Sequence, residues 1–150
     1  MVTNPIQQPS TATAVPRTRP ALPGDLRGLT RALATAPAEP RWREHLVGRL
    51  GPVRSGFAEH VRLTEGPAGL YAELLHQAPR LDRGVRLLAG EHAAIAAAIA
   101  ALQHAVRLPS VPAEDLREQA RNLLRALDRH RQRGADLLWE AYQADLGGED

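Results

Sequence analysis

The chain has 150 residues, of which 43% are hydrophobic and 3% aromatic, and its formal net charge is +2. This length and content suit one domain with a sizeable core. The small net charge argues against a nucleic-acid or anionic-membrane partner. The lack of cysteine excludes disulfides and thiolate metal sites. With no run of 18 apolar residues and no signal-peptide pattern, we expect a cytoplasmic protein.

The first 23 residues differ in composition from the rest of the chain. They contain five prolines together with serine, threonine and glutamine, and only scattered apolar side chains. Such a segment buries too little surface to offset the entropy of ordering it. We predict a disordered tail over residues 1–23 and a helical domain over residues 24–146. The tail is interpreted as a bare linker, as a docking peptide for a protein partner, or as a segment without a role.

The first two predicted helices lie before residue 77. Residues 24–36 place leucines on one face and predict a short helix, closed by two prolines. Residues 41–76 continue with apolar positions at alternating steps of four and three, the spacing of a packed helix. Gly-Pro pairs at 51–52 and 66–67 interrupt this pattern, and we expect the helix to be kinked or broken at both places.

Two longer helices follow. The central one is predicted over Leu81–Val106, where a proline-free seam comprises Leu81, Val85, Leu88, His92, Ile95, Ile99, Leu102 and Val106. The last one is predicted to begin near Pro112, beside acidic residues, and to stop at Gly147-Gly148. Three long helices and a short one, without sustained strand-like alternation, predict an all-α fold. We expect an up-down four-helix bundle.

Three of the six histidines lie in the predicted seams, each on a different helix: His60, His92 and His130. Because a seam covers about three positions in seven, chance alone would place two or three there. Their positions along the helix axes are more informative. His92 and His130 lie 18 and 20 residues from Ser110, which separates them by only about 3 Å along antiparallel helices. His60 is about 9 Å off this level for straight helices, an offset that a break at 66–67 would change.

The residue order around these histidines resembles a known family. The segments are EH at 59–60, LLAGEHAAI at 87–95 and LDRHRQRGADLLW at 127–139. They are similar to the second, third and fourth helices of hemerythrin-like (HHE cation-binding) domains, over roughly residues 57–142. The resemblance implies an antiparallel four-helix bundle with a non-haem di-iron centre, held by five histidines and two bridging carboxylates. It also implies binding of, or a response to, oxygen, nitric oxide or iron.

The resemblance matches His60, His92 and His130 to family ligands, but other ligand positions differ. The predicted first helix has no histidine, and Ala96 stands where the family has a second histidine of the third helix. Thr64 and Ala135 stand where it has carboxylates, with Glu65 and Asp136 one residue later. One residue rotates a side chain by about 100° on a helix. Glu65, beside a predicted break, is expected to turn inward more readily than Asp136.

The remaining donors suit one Fe(II), Zn(II) or similar ion, or an incomplete di-iron centre, with an open position for oxygen or nitric oxide. The predicted ligands are His60, His92, His130 and Glu65. The predicted outer hydrogen-bond partners are Thr64, Glu91 and Asp136. The alternative is a protein without metal, whose histidines bond to neighbours inside a bundle that acts as a scaffold or protein-interaction module.

Other residues are interpreted as structural. His45 and His104 are expected at the surface, and Trp42, Trp139 and Tyr142 are expected to fill the ends of the bundle. No glycine-rich phosphate loop, Ser/His/Asp arrangement or suitable carboxylate pair stands out, and we predict that the protein is not an enzyme.

Overall fold

The computed structural model describes residues 23–35 and 37–146, and these residues form an all-helical structure. The α-helices are α1 (Pro23–Ala34), α2 (Trp42–Glu65), α3 (Leu70–Gln77), α4 (Asp82–Ala105) and α5 (Ala113–Leu146), with a 3-10 turn at Pro79–Leu81. The predicted all-α class is confirmed for this part of the chain. The predicted tail, apart from its last residue, and the predicted stop at 147–148 lie outside the described residues.

The four longer helices enclose the main core. α2 packs against α1 and α4, and α5 packs against α4 and α1, an arrangement compatible with a four-helix bundle. Every predicted seam position of the central helix is buried. Burial of these aliphatic side chains is the main favourable contribution to folding. The main cluster contains Leu29, Leu33, Trp42, Leu46, Leu50, Val53, Phe57, Ile95, Ile99, Leu102, Val106, Leu116, Ala120, Leu123 and Leu127.

A second, smaller apolar cluster forms around α3. Its buried members are Tyr71, Leu74, Leu81, Val85, Leu88 and Leu137. Gly84 allows α5 to come close here, because a β-carbon at this position would lie 2.6 Å from Leu137 Cδ1. The short helix therefore closes a separate layer of core between α4 and α5.

The two Gly-Pro pairs of the second helical segment behave differently. α2 runs without interruption through Pro52. Proline has no N–H group and therefore removes one backbone donor, but its ring is exposed and does not clash with a neighbouring helix. The helix is therefore not broken at this pair. It does end at the second pair, where Gly66 is extended and the Gly69 amide donates to the Gly66 carbonyl at 2.7 Å.

The turn between α2 and α3 requires glycine at position 69. A β-carbon there would lie 2.6 Å from the Thr64 carbonyl oxygen and 2.8 Å from the Gly66 carbonyl oxygen, both of them backbone atoms. The close approach lets the chain turn sharply after Glu65. As a result, α3 packs back against α2 and α4.

Arg43 joins the start of α2 to the turn between α4 and α5. Its guanidinium donates hydrogen bonds to the carbonyl oxygens of Val106 and Leu108 at 3.4 and 2.9 Å, and also to the Val111 carbonyl oxygen. These carbonyl groups follow the end of α4, where intrahelical donors run out. One side chain of α2 thus stabilises the turn between α4 and α5.

The aromatic residues expected at the bundle ends fall into two classes. Trp42 is buried and donates its indole N–H to the Ala32 carbonyl oxygen at 2.9 Å, as a packing residue would. The prediction is wrong for Trp139 and Tyr142, which are 64% and 59% exposed. Trp139 lies two residues after buried Leu137, and this spacing turns it by about 200° away from the core.

One segment is more apolar than the lack of an 18-residue apolar run suggests. Pro79–Ala105 has an 18-residue window with a mean hydropathy of 1.5, which by length and composition alone would be enough to cross a membrane. The core helix of a soluble protein meets the same criterion. Here the seam of this segment packs into both apolar clusters.

Candidate metal centre

Three imidazole rings meet inside the bundle, one each from α2, α4 and α5. The Nε2 atom of His130 lies 3.1 Å from the Nε2 atom of His60 and 3.1 Å from the Nε2 atom of His92. One ligand nitrogen from each of the three rings lies within 4.8 Å of the other two. His92 and His130 thus lie at one level, as their spacing from Ser110 predicts, and His60 joins them although straight helices would place it about 9 Å away.

The rings form a polar layer between the two apolar clusters. Along α4, His92 stands between Leu88 of the smaller cluster and Ile95 of the main cluster. Along α5, His130 stands between Leu127 and Leu137 in the same way. His92 is only 3% exposed and His130 4%. Buried imidazoles need partners for both ring nitrogens, and their environment decides which nitrogen carries the proton.

Glu65 determines the orientation of the His92 ring. Its Oε1 atom lies 2.8 Å from His92 Nδ1. A carboxylate accepts but does not donate, so the proton of a neutral His92 is on Nδ1 and the lone pair is on Nε2. The Nε2 lone pair faces the other two rings. Glu65 was predicted as a ligand together with the three histidines. It lies instead behind His92, where it accepts a hydrogen bond from Nδ1, and it is not among the atoms that face the centre of the cluster.

Glu91 occupies a similar position behind His130. Its Oε2 atom is 3.6 Å from His130 Nδ1, which is longer than a hydrogen bond. Among the described residues, His130 Nδ1 has no hydrogen-bond partner although it is buried. The other oxygen, Oε1, lies 2.9 Å from an Arg133 guanidinium nitrogen, as an ion pair without hydrogen-bond alignment. The carboxylate is thus held beside the ring, where a small shift would complete the hydrogen bond.

Two aromatic side chains, which the sequence analysis did not single out for the site, surround the rings. The centroid of Phe57 lies 5.9, 5.7 and 6.4 Å from the rings of His60, His92 and His130. Tyr71 stacks on His92, with centroids 5.7 Å apart and planes inclined by 13°. Its hydroxyl oxygen lies 3.3 Å from His92 Nε2. These rings exclude water from one side of the cluster.

Burial lowers the pKa of two of the three rings, those of His60 and His130. Desolvation lowers the pKa of His60 to about 4, and the neighbouring His92 and His130 add to the effect. Desolvation, together with His92, also lowers the pKa of His130, against the opposing influence of Glu91. A metal binds the neutral form of imidazole, so a low pKa removes competition from protons.

No protein-family model, curated protein or solved structure matches this chain.

The spacing of the nitrogens can accommodate a metal ion. Two donors at about 2.1 Å from one ion lie roughly 3.0–3.4 Å from each other, and both 3.1 Å Nε2 separations fall in this interval. The ligand nitrogens of His60 and His92 lie within 4.8 Å of each other, and they must lie within about 4.2 Å to share one ion. Imidazole suits Zn, Fe, Cu and Ni. Two carboxylates behind the rings, with one arginine beside them, also favour a cation. The cluster of His60, His92 and His130 can therefore hold an ion.

The other predicted site residues lie at different distances from the cluster. Thr64 is buried, and its hydroxyl donates to the His60 carbonyl oxygen at 2.8 Å, so it fixes backbone and not a ring. Asp136 was predicted as an outer partner, but it is exposed and accepts a hydrogen bond from Gln132 at 3.0 Å. Its position one residue past the seam of an intact helix turns it outward. His45 and His104 are exposed, as predicted.

Proposed function

We propose that this protein is a small metal-binding module of the hemerythrin-like type, in which His60, His92 and His130 hold one divalent transition-metal ion, preferably Fe(II). The observation that carries the proposal is the convergence of the three Nε2 atoms, with two separations of 3.1 Å, in a buried layer. Such an arrangement is a recurrent way of binding iron or zinc with an open coordination position.

The carboxylates behind two of the rings support a cation. Glu65 favours the form of His92 that carries the proton on Nδ1, so the Nε2 lone pair of this ring faces the cluster. Glu91 Oε2 lies 3.6 Å from His130 Nδ1, and this buried nitrogen has no hydrogen-bond partner among the described residues. An ion bound by both Nε2 atoms would place the proton of His130 on Nδ1, where a small movement of Glu91 would accept it.

The resemblance of residues 57–142 to hemerythrin-like domains supports an up-down bundle and a role in oxygen, nitric oxide or redox sensing or handling in the cytoplasm. The reduced donor set favours a mononuclear site, because Ala96 and Ala135 cannot ligate. An ion held by three imidazoles keeps positions for a small ligand. The ion would bind the small ligand, while the chain would hold the ion in place and keep water out of the cavity. The N-terminal 23 residues would serve a protein partner.

Metal analysis of the full chain, expressed in iron-supplemented medium, tests the proposal. We expect about one iron per chain in the wild type and none in His92→Ala/His130→Ala. A matched control, His76→Ala/His104→Ala, removes two exposed histidines and should keep the metal. Circular dichroism verifies that each variant is folded. A folded wild type without metal, after iron and zinc have both been supplied, would overturn the proposal.

The small-ligand role has a separate test. Nitric oxide added anaerobically to the Fe(II)-loaded protein should produce an iron-nitrosyl electron paramagnetic resonance signal, since an open position accepts it. An unchanged spectrum would leave metal binding in place and contradict the sensing role.

A second candidate function is a metal-free scaffold or protein-interaction module. It is favoured by Trp139 and Tyr142, two large aromatic side chains that are mostly exposed on the last turns of α5. Exposed aromatics of this kind are enriched at protein interfaces. If this function is correct, metal will be absent and Trp139→Ser/Tyr142→Ser will weaken association with a partner without affecting the fold.

A further inference from the structure

Tyr71 is the one aromatic residue of the candidate site that carries a polar atom toward the cluster. It is 7% exposed, and its ring stacks on that of His92. Its hydroxyl oxygen lies 3.3 Å from His92 Nε2, the same nitrogen that faces His130 at 3.1 Å. The turn at Gly66–Gly69 brings α3 back over the rings and places the phenol there.

His92 Nε2 cannot serve both the phenol and an ion. Its single lone pair accepts a hydrogen bond from Tyr71 in the metal-free protein, because Glu65 fixes the proton on Nδ1. When that lone pair binds a metal, the phenol loses this acceptor. The Thr64 hydroxyl also lies within hydrogen-bonding reach of Tyr71. The phenolic oxygen of the loaded site is then left with two partners within reach, Thr64 and the ion.

The position of the oxygen meets the requirement for a ligand of the same ion. Two donors bound to one ion at about 2.1 Å lie roughly 3.0–3.4 Å apart, and the phenolic oxygen is 3.3 Å from His92 Nε2. It comes from α3, whereas the three nitrogens come from α2, α4 and α5. The four donors thus approach from four different segments.

We propose that the phenolic oxygen of Tyr71 is the fourth donor to the ion held by His60, His92 and His130, and that it enables the site to hold Fe(III) as well as Fe(II). This inference rests on the proposed function, and it concerns the oxidation state that the site stabilises. Phenolate is a hard anionic oxygen donor, which matches a trivalent ion better than neutral imidazole does.

Coordination breaks the phenolic O–H bond, forms an oxygen–iron bond and releases one proton to the solvent. A phenol keeps its proton at neutral pH unless a cation binds its oxygen. Proton release is therefore coupled to metal uptake. No oxidant is needed when the iron is supplied as Fe(III).

The experiment adds ferric citrate to the metal-free full chain and records the visible spectrum together with bound iron. We expect a phenolate-to-Fe(III) charge-transfer band that saturates at one iron per chain. The chain has two tyrosines. Tyr71→Phe should abolish the band and weaken ferric affinity by about tenfold or more, with a smaller effect on zinc. The control Tyr142→Phe alters an exposed ring and should leave the band unchanged.

The outcomes separate this inference from the proposed function. Iron bound at one equivalent without a charge-transfer band, or a band that survives in Tyr71→Phe, would overturn the role of Tyr71 and leave the histidine site standing. A wild type that binds neither iron nor zinc would overturn both. If Tyr71→Phe does not fold, resonance Raman spectra excited in the wild-type band test the inference. We expect ring modes of an iron-bound phenolate, and their absence would contradict the inference.

Discussion

Glu65 Oε1 lies 2.8 Å from His92 Nδ1, although Glu65 is the last residue of α2 and His92 is in the middle of α4. The carboxylate reaches the ring because α2 ends there and the chain turns away at Gly66. In a continuous helix, a residue one position past the seam would point about 100° from it. The end of α2 thus allows a residue one position past the seam to contact the cluster.

Removing the Glu65 carboxylate should weaken metal binding without removing a metal ligand. We expect Glu65→Ala to reduce affinity for Zn(II) by about 10- to 100-fold, because the His92 ring loses the acceptor that fixes its proton on Nδ1. Competition with a chromophoric chelator measures this. Glu73→Ala removes an exposed carboxylate of α3 and is the matched control. Equal affinities in all three proteins would contradict this role of Glu65.

The metal-free protein should lose stability on mild acidification. His60 has a pKa of about 4 in the folded protein and an ordinary value of 6.5 in the unfolded chain, so the unfolded chain binds protons more readily. Its stabilising contribution is therefore present above about pH 6.5 and is lost as the pH falls toward about 4. His130 acts in the same direction, because its pKa is also lowered.

Urea unfolding of chelator-treated protein at about pH 7.5 and about pH 5 measures this loss. The unfolding midpoint should decrease at the lower pH, and it should decrease less in His60→Gln. His104→Gln, which changes an exposed histidine, should keep the full dependence. A midpoint that does not change with pH would contradict the lowered pKa values of His60 and His130.

Gly69→Ala should destabilise the protein by about 1–3 kcal/mol, because the new methyl group would meet two backbone carbonyl oxygens that cannot move aside easily. The same substitution at Gly48 is the control. This residue is exposed within α2, and none of the described atoms lies within 4 Å of a β-carbon there. Gly48→Ala should therefore stabilise by about 0.5–1 kcal/mol. Urea unfolding of both variants tests the pair, and similar shifts would contradict the proposed crowding at position 69.

Arg43→Met should cost about 0.5–1.5 kcal/mol, since it removes the guanidinium hydrogen bonds to the carbonyl groups after α4. Thermal and urea unfolding measure the change. Arg86→Met is the comparison, because Arg86 forms an exposed ion pair with Asp82 at 2.9 Å whose loss should change stability by no more than about 0.5 kcal/mol. If both variants unfold alike, Arg43 does not stabilise the turn.

Local pattern was sufficient for the long helices and for the common level of His92 and His130, but straight-helix spacing placed His60 about 9 Å from that level. The four-three spacing that contains His92 depends only on the helical repeat, and a core formed where it predicted one. The break after Glu65 was also predictable, because extended Gly66 and the following proline do not continue a helix. The same rule was too strict at Pro52, where an exposed ring within a long packed helix is tolerated.

Contacts that depend on the path of a turn could not be read from the sequence. Tyr71 reaches His92 because α3 folds back at Gly69, and no periodicity within α3 indicates that direction. Trp139 was expected to fill an end of the bundle because of its size, whereas its angle relative to Leu137 turns it toward the solvent. The Arg133–Glu91 ion pair likewise required the relative rotation of α4 and α5.

The chain contains no cysteine, yet its candidate site joins parts of the sequence that are far apart. His60 and His130 are 70 residues apart, and His92 and His130 are 38 apart. An ion shared by them would act as a cross-link, closing long loops and reducing the entropy of the unfolded chain as a disulfide does. In a protein that cannot form a disulfide, saturation with metal would therefore slow global unfolding, and the chain's lifetime in the cell would depend on metal supply.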